Sequence, residues 1–417
     1  MIFGGGNPSG GKELKHGTRE WSVSDVRSKP GTGGIMDGNR VAVVGICQTK
    51  YEGAKRNSSL AEMIFEAASG ALRDAGLRIG DIDTVVLAAH DLMDGRSITS
   101  MLTSPPAGAH MKDEIRVADD GAFAVALAWY RVLAGEFGTA LVVSWSKLSE
   151  GDFDTVTSLN FDPMYYRPLG FNYVTAHAMQ AASYMMRYGI SESQAAKVVV
   201  KNRSNALNNP LAHLRQKVSV DDVLRSKLLA WPLKELDIPP KSDGACAIVL
   251  ANEERAEGAK GRCAWIKGVG WANDTYYLGD KQLGELPSLA VAAKKAYQMA
   301  GVTNPLKQLD VAEVHDLSSY HELMAYEALG FCKLGEGGQL IESGATMMGG
   351  VLPVSPSGGV LSTHAHTSVG LVRVAEAALQ VMGRAGEHQV PGAKTALAQG
   401  ASGMCGQSNC VVILGRE

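Results

Sequence analysis

The segment DAGLRIGDIDTVVLAAHD, ending at Asp91, recurs in the later half of the chain as MAGVTNPLKQLDVAEVHD, ending at Asp316. Each copy leaves a helix end through Gly, crosses a polar turn and enters an apolar strand. A second echo pairs the helix after Gly121 and the strand Ala140 to Trp145 with the helix after Gly370 and the strand Cys410 to Leu414. Repetition on this scale predicts two copies of one α/β unit related by a pseudo-two-fold. A ligand then belongs where strand ends of both halves converge.

Within the first copy an apolar run from Val41 to Gly45, an amphipathic stretch from Ser59 to Ala75 and the run Val85 to Ala89 read as strand, helix, strand. That alternation implies parallel strands with crossover helices. At 417 residues the chain has length for two such halves and a large shared core. We divide it into an extension over 1–38, an N-terminal half over 39–264 and a C-terminal half over 265–417. The N-terminal half contains an insertion, about 146–260, rich in Met, Tyr and Asn; it holds a helix at Phe171 to Tyr188 and is expected to cap a roomy, apolar site. The extension is rich in Gly, Ser, Lys and Pro and is expected to lie on the surface or on a partner. Its GxxxxGK from Gly6 to Lys12 follows no strand, and Glu13 stands where a phosphate loop needs Ser or Thr.

A formal net charge of −3 gives no long-range attraction to nucleic acid or to an anionic membrane, so neither partner is expected. Cys47, Cys246, Cys263, Cys332, Cys405 and Cys410 form no CxxC pair, which argues against a zinc ribbon or a secreted disulfide framework. No run approaches the ~20 apolar residues of a membrane helix. The expected location is cytoplasmic. His364 and His366 have no third ligand at suitable spacing, so no metal is expected.

Four segments carry a family resemblance: SDGACAIVLANEERA from Ser242, EVHDLSSYHELMAYEALGFC from Glu313, PSGGVLSTHAHTSVG from Pro356, and the terminal SGMCGQSNCVVIL. In this order, from about Arg40 onward, the chain resembles the thiolase superfamily, and most closely its sterol-carrier-protein and lipid-transfer-type branch. The resemblance implies a duplicated thiolase fold of two βαβαβαββ halves in five αβαβα layers, with the insertion as cap. In that family a nucleophilic cysteine sits at the N-terminus of a buried helix, where the helix dipole favours the thiolate. Aligned through Gly121 and Gly135, Ala118 occupies that position, flanked by Asp119 and Asp120, which read as residues capping the helix. Ser402 stands at the family's second cysteine position, with Cys405 as the alternative, or as a buried, unreactive thiol.

His315 matches the catalytic histidine of the family's HDxF motif, and His364 or His366 the second histidine, with His364 preferred by counting back from Gly370. Two neutral imidazoles donating N–H to a thioester oxygen would stabilise an enolate by several kcal/mol, with Asp316 or a histidine relaying a proton. Without the cysteine, ordinary acyl transfer through an acyl-enzyme is not expected. The resemblance implies carbon–carbon bond cleavage or formation on an acyl-CoA, of retro-aldol or aldol type. Steroid side-chain aldolases of this branch use tyrosines where this chain has its histidines. The alternatives are an acyltransferase using another thiol, Cys405, and a non-catalytic acyl-CoA-binding subunit of a heteromer. The family further implies no cofactor beyond the coenzyme A of the substrate, a homodimer, and a smaller OB-fold subunit carrying a zinc ribbon. The apolar strand Ala140 to Trp145 is expected to need cover from a partner.

Overall fold

The computed structural model describes residues 40–98, 100–257 and 263–416. The extension over 1–38 lies outside the described residues, and Asp37–Glu417 forms one compact unit. Its centre is a nine-stranded sheet: β1 (Val41–Gln48), β2 (Thr84–Ala88), β3 (Asp113–Val117), β4 (Thr139–Ser146), β5 (Gly244–Asn252), β6 (Ala264–Asn273), β7 (Val311–Glu313), β8 (Thr395–Ser402) and β9 (Ser408–Gly415). The order across the sheet is β3-β2-β4-β5-β1-β6-β9-β8-β7. It is the same arrangement written twice about the β1–β6 junction. There Ala42 pairs with Trp265 and Val43 with Ala264 in antiparallel register. The parallel contact of β2 with β4 is matched by that of β7 with β8, and Val354 bridges Ala312 where the first half has β3.

Seven helices carry the layers: α1 (Leu60–Ala75), α2 (Gly121–Leu133), α3 (Tyr173–Tyr188), α4 (Glu192–Ala206), α5 (Pro287–Ala300), α6 (Ser319–Ala328) and α7 (Val369–Met382). Ser59 and Glu62 close a capping box at the start of α1, and Gly76 ends it in the left-handed conformation. The inward stripe of α1, Met63, Ile64, Ala67 and Ala71, packs on Leu141, Val143 and Val249. On the opposite face Val125 and Trp129 of α2 and Val374 and Val381 of α7 fill the space between Val142 and Ile248 of one half and Ala396 and Val412 of the other. Leu289 and Ala293 of α5 cover the outer face at Leu397, Val411 and Ile413. The result is the αβαβα layering. Each buried Val, Leu, Ile or Met among them contributes about 1.5–3 kcal/mol relative to exposure.

Because α7 is buried nearly all round, its charged residues must find partners. Arg373 Nη1 reaches Glu313 Oε2 at 2.6 Å, and Glu376 holds His388 Nε2 at 2.8 Å. Strand β4 corrects one expectation. It lies inside the sheet, hydrogen-bonded to β2 on one side and β5 on the other, so its apolar character needs no partner. The edge strand on this side of the sheet is β3, which carries Asp113, Glu114 and Arg116. Among the described residues no helix is long and apolar enough to cross a membrane.

Candidate active site

One cavity of about 290 Å³ opens where the carboxyl ends of β2, β3, β7 and β8 approach the start of α2. His90, Ala118, Asp119 and Asp120 come to it from the first half, and His315, His364, His366 and Ser402 from the second. Thr157, Asn160 and Tyr173 of the insertion close one side. The strand ends supply polar side chains to the wall, while much of the lining surface is apolar, as expected of the site. The volume is at the small end of ligand sites, which span about 300–1,000 Å³.

His315 follows β7 directly and is fixed on both sides. Its backbone N–H donates to Gln399 Oε1 at 2.6 Å, and its Nδ1 accepts the Ala401 N–H at 2.9 Å. Gln399 is itself held by Asn409, to whose Oδ1 its Nε2 donates at 2.8 Å. An Nδ1 that accepts carries no proton, so in the neutral ring the hydrogen is on Nε2. That atom is buried and has no hydrogen-bond partner among the described residues. Burial, reinforced by the neighbouring His364 and His321, holds the His315 pKa well below the usual histidine value, so the ring is neutral. A neutral imidazole with an unpaired, buried N–H is an oxyanion donor in waiting.

His364 and His366 both wall the cavity, 5.7 Å apart between ring centres, so position does not choose between them. Burial depresses His364 to about 4, against the opposing pull of the nearby Pro240 carbonyl. The His315 and His364 rings are therefore both neutral, and a neutral imidazole on this wall can donate through one nitrogen and accept through the other. His366 takes the unusual φ of 22°, places Nδ1 3.2 Å from Thr367 Oγ1, and is held at about 3 by burial and then by His364 and His90.

Ala118 lies on the cavity wall at the start of α2, with no thiol to offer. Asp120 is the N-cap of α2: Oδ1 accepts from Ala122 N–H at 2.9 Å, and Oδ2 accepts from Gly370 N–H at 2.8 Å. This carboxyl ties the N-terminal end of α2 to that of α7. A Cβ on Gly370 would lie 1.7 Å from Asp120 Oδ1, and one on Gly400 2.1 Å, so both positions require glycine. Burial raises Asp120 to about 8 against the opposing pull of those N–H groups. Its Oδ2 stands 3.9 Å from His315 Nδ1, beyond hydrogen-bond reach. Asp119 accepts the Asp120 N–H at 3.1 Å and faces the cavity.

Asp316 and Cys405 are not brought to the cavity. Asp316 is buried behind the wall, accepting from Asn202 Nδ2 and from the Val360 and Leu361 N–H groups, so it anchors the Gly359 turn. Cys405 is buried against Phe161 and Met404, its thiol directed at the Ala176 carbonyl at 3.4 Å and pushed up to about 12 by burial. Ser402, at the end of β8, does reach the cavity. His90 is the residue that sequence reasoning passed over, although AAHD in the first half echoes EVHD in the second. Among the described residues no group of three His, Cys, Asp or Glu side chains is arranged to hold a metal.

Residues 270–416 match the family described as thiolase C-terminal domain-like. The chain is 32% identical over 374 residues to an acetyl-CoA acetyltransferase of Methanothermobacter thermautotrophicus, covering 88% of this chain and 97% of that one. It is 29% identical to human sterol carrier protein 2, over 86% of this chain and 69% of the relative. Among solved structures it superposes on an Ltp2-ChsH2(DUF35) aldolase with a TM-score of 0.79 and 25% identity, covering 90% of this chain and 98% of that one. With the layered fold, the mirrored sheet order and these relatives together, the chain belongs to the thiolase superfamily, in its sterol-carrier-protein-type branch.

Proposed function

We propose that this thiolase-superfamily enzyme makes or breaks a carbon–carbon bond on an acyl-CoA thioester through an enolate, with no covalent acyl-enzyme. One observation carries the reading: His315 holds an unpaired N–H over the same cavity in which Ala118 stands at the nucleophile position. His315 stabilises the thioester oxygen as negative charge develops, a contribution of about 3–4 kcal/mol by analogy with single oxyanion donors. His364, on the wall of the same cavity, exchanges the proton at Cα. Coenzyme A enters as part of the substrate. The solved relative described as an aldolase supports the direction of the chemistry.

Incubation with acyl-CoA in D₂O tests the proposal by mass spectrometry of both thioester and protein. Deuterium at Cα with an unmodified protein is the expected result. An acyl adduct on a cysteine would instead establish the acyltransferase alternative, which the buried Cys405 thiol, raised to about 12, disfavours. Binding without any exchange would leave a non-catalytic acyl-CoA-binding subunit. The chain works, in this reading, as a homodimer with a second, smaller OB-fold subunit; the pairing of Ltp2 with ChsH2(DUF35) in the solved relative supports the second component.

A further inference from the structure

His90 leaves the carboxyl end of β2 as His315 leaves that of β7, and both wall the same cavity. The enolate chemistry above makes no use of it. Its neighbour across the sheet is Asp119: Ala88 pairs with Val117, and the Ala89 N–H donates to the Val117 carbonyl at 3.2 Å. Two parallel strands in that register release His90 and Asp119 side by side, next to Ala118. Asp119 is held in place by the Asp120 N–H.

A structural role for His90 would show as a hydrogen bond made by its ring. The residue sits at the N-cap position of the 3₁₀ turn Asp91–Asp94, yet its side chain caps nothing. Its Nδ1 is buried and without a hydrogen bond among the described residues. The adjacent Asp91 is engaged differently, accepting from Arg116 Nη1 at 2.7 Å, which fixes the strand ends and leaves the imidazole to the cavity.

Making or breaking a β-hydroxyacyl thioester involves two oxygens. The thioester oxygen needs a donor, which His315 supplies. The β-oxygen needs a group that gives or takes its proton, and the second half of the molecule leaves that task open. We infer that His90, backed by the Asp119 carboxylate, is the acid–base residue for the β-oxygen; the inference rests on the enolate reading. In the synthetic direction His364 takes a Cα proton and the C–H pair becomes the enolate. The enolate carbon attacks an aldehyde or ketone carbonyl, whose π pair moves to oxygen, and that alkoxide takes a proton from His90. Solvent restores both imidazoles. Cleavage reverses each step: His90 takes the hydroxyl proton, the carbonyl forms, and the Cα–Cβ pair passes to the enolate. A carboxylate beside the imidazole orients it and stabilises its protonated form.

The two halves of this chemistry are measured separately. Exchange of the Cα proton of acetyl- and octanoyl-CoA in D₂O reads enolisation alone, and release of aldehyde or ketone from short-, medium- and long-chain 3-hydroxyacyl-CoAs reads the complete reaction. His90→Asn is expected to slow cleavage by ~10²-fold or more, and exchange by less than about tenfold. Asp119→Asn, which keeps an acceptor for the Asp120 N–H, is expected to show the same split at about tenfold in cleavage. Equal loss of both activities in His90→Asn, or loss of neither, overturns the assignment. Exchange without cleavage in the unaltered protein also overturns it while leaving the enolate reading intact. Absence of both reactions removes the enolate reading itself.

Discussion

His177, on α3, is a buried imidazole with neither ring nitrogen hydrogen-bonded among the described residues, its ring centre 4.5 Å from that of the tilted Tyr173 ring. Desolvation lowers its pKa from 6.5 to about 4. A histidine whose folded pKa lies below its unfolded one contributes stability that is present above the unfolded pKa and lost as pH falls toward the folded one. The window here is pH 6.5 down to 4. At pH 5 the unfolded ring is protonated and the folded ring is not, which costs about 2 kcal/mol relative to pH 7. The total pH dependence does not isolate this effect, because Asp120 and Asp316, raised to about 8 and about 7, move the other way and favour the folded state as pH falls. The difference between two proteins does isolate it. His177→Phe keeps an aromatic ring against Tyr173 and removes the titration. Urea unfolding followed by circular dichroism at pH 7, 6 and 5 should show the variant gaining about 2 kcal/mol on the parent between the first and last pH. Parallel stability profiles would refute the claim that His177 is buried and neutral.

His315→Ala should lower kcat by ~10²-fold or more with little change in KM, and steady-state kinetics on any turned-over thioester read this split. The same change leaves the Ala401 N–H without its acceptor, which should cost about 1–3 kcal/mol in denaturant unfolding. Gly370→Ala places a methyl inside the Asp120 carboxyl and should destabilise by about 3 kcal/mol or more, seen as a lower Tm or insoluble protein; a Tm unchanged from the parent would contradict the tie between α2 and α7. Light scattering on the purified chain should give twice the mass of one chain, and a monomer at micromolar concentration would remove the proposed homodimer.

The fold was legible because it is written in local signals repeated twice. β-branched runs marked β1, β2, β4 and β9, and the spacing of Met63, Ile64, Ala67 and Ala71 marked α1. The site was legible in part. His315, His364, His366 and Ser402 fall on the cavity because motif position fixes which strand or turn end a residue occupies. What failed depends on direction and on distant partners. Asp316 is adjacent to His315 yet points to the other side of the chain, toward the Gly359 turn, as alternation along an extended segment requires. The second task of Asp120, accepting from Gly370 across 250 residues of sequence, leaves no local trace. His90 needed no structure: the echo of His-Asp in the two halves was the signal, and weighing both copies equally would have found it.

The position of β1 also sets the order in which this molecule can assemble. The first strand of the sheet lies between β5 and β6, so both its neighbours are made about 200 residues after it. At ribosomal speeds of ~5–20 residues per second, the interval is roughly 10–40 s. Throughout it the Val41–Gln48 segment has its hydrogen-bonding edges open and its apolar face without a sheet to join. Strands β2, β3 and β4 can pair with one another early, but the layer they belong to closes only when β5 returns antiparallel between β4 and β1. A nascent chain of this kind carries an exposed apolar strand for that interval, and such an edge is a template for pairing with another chain until β5 and β6 arrive.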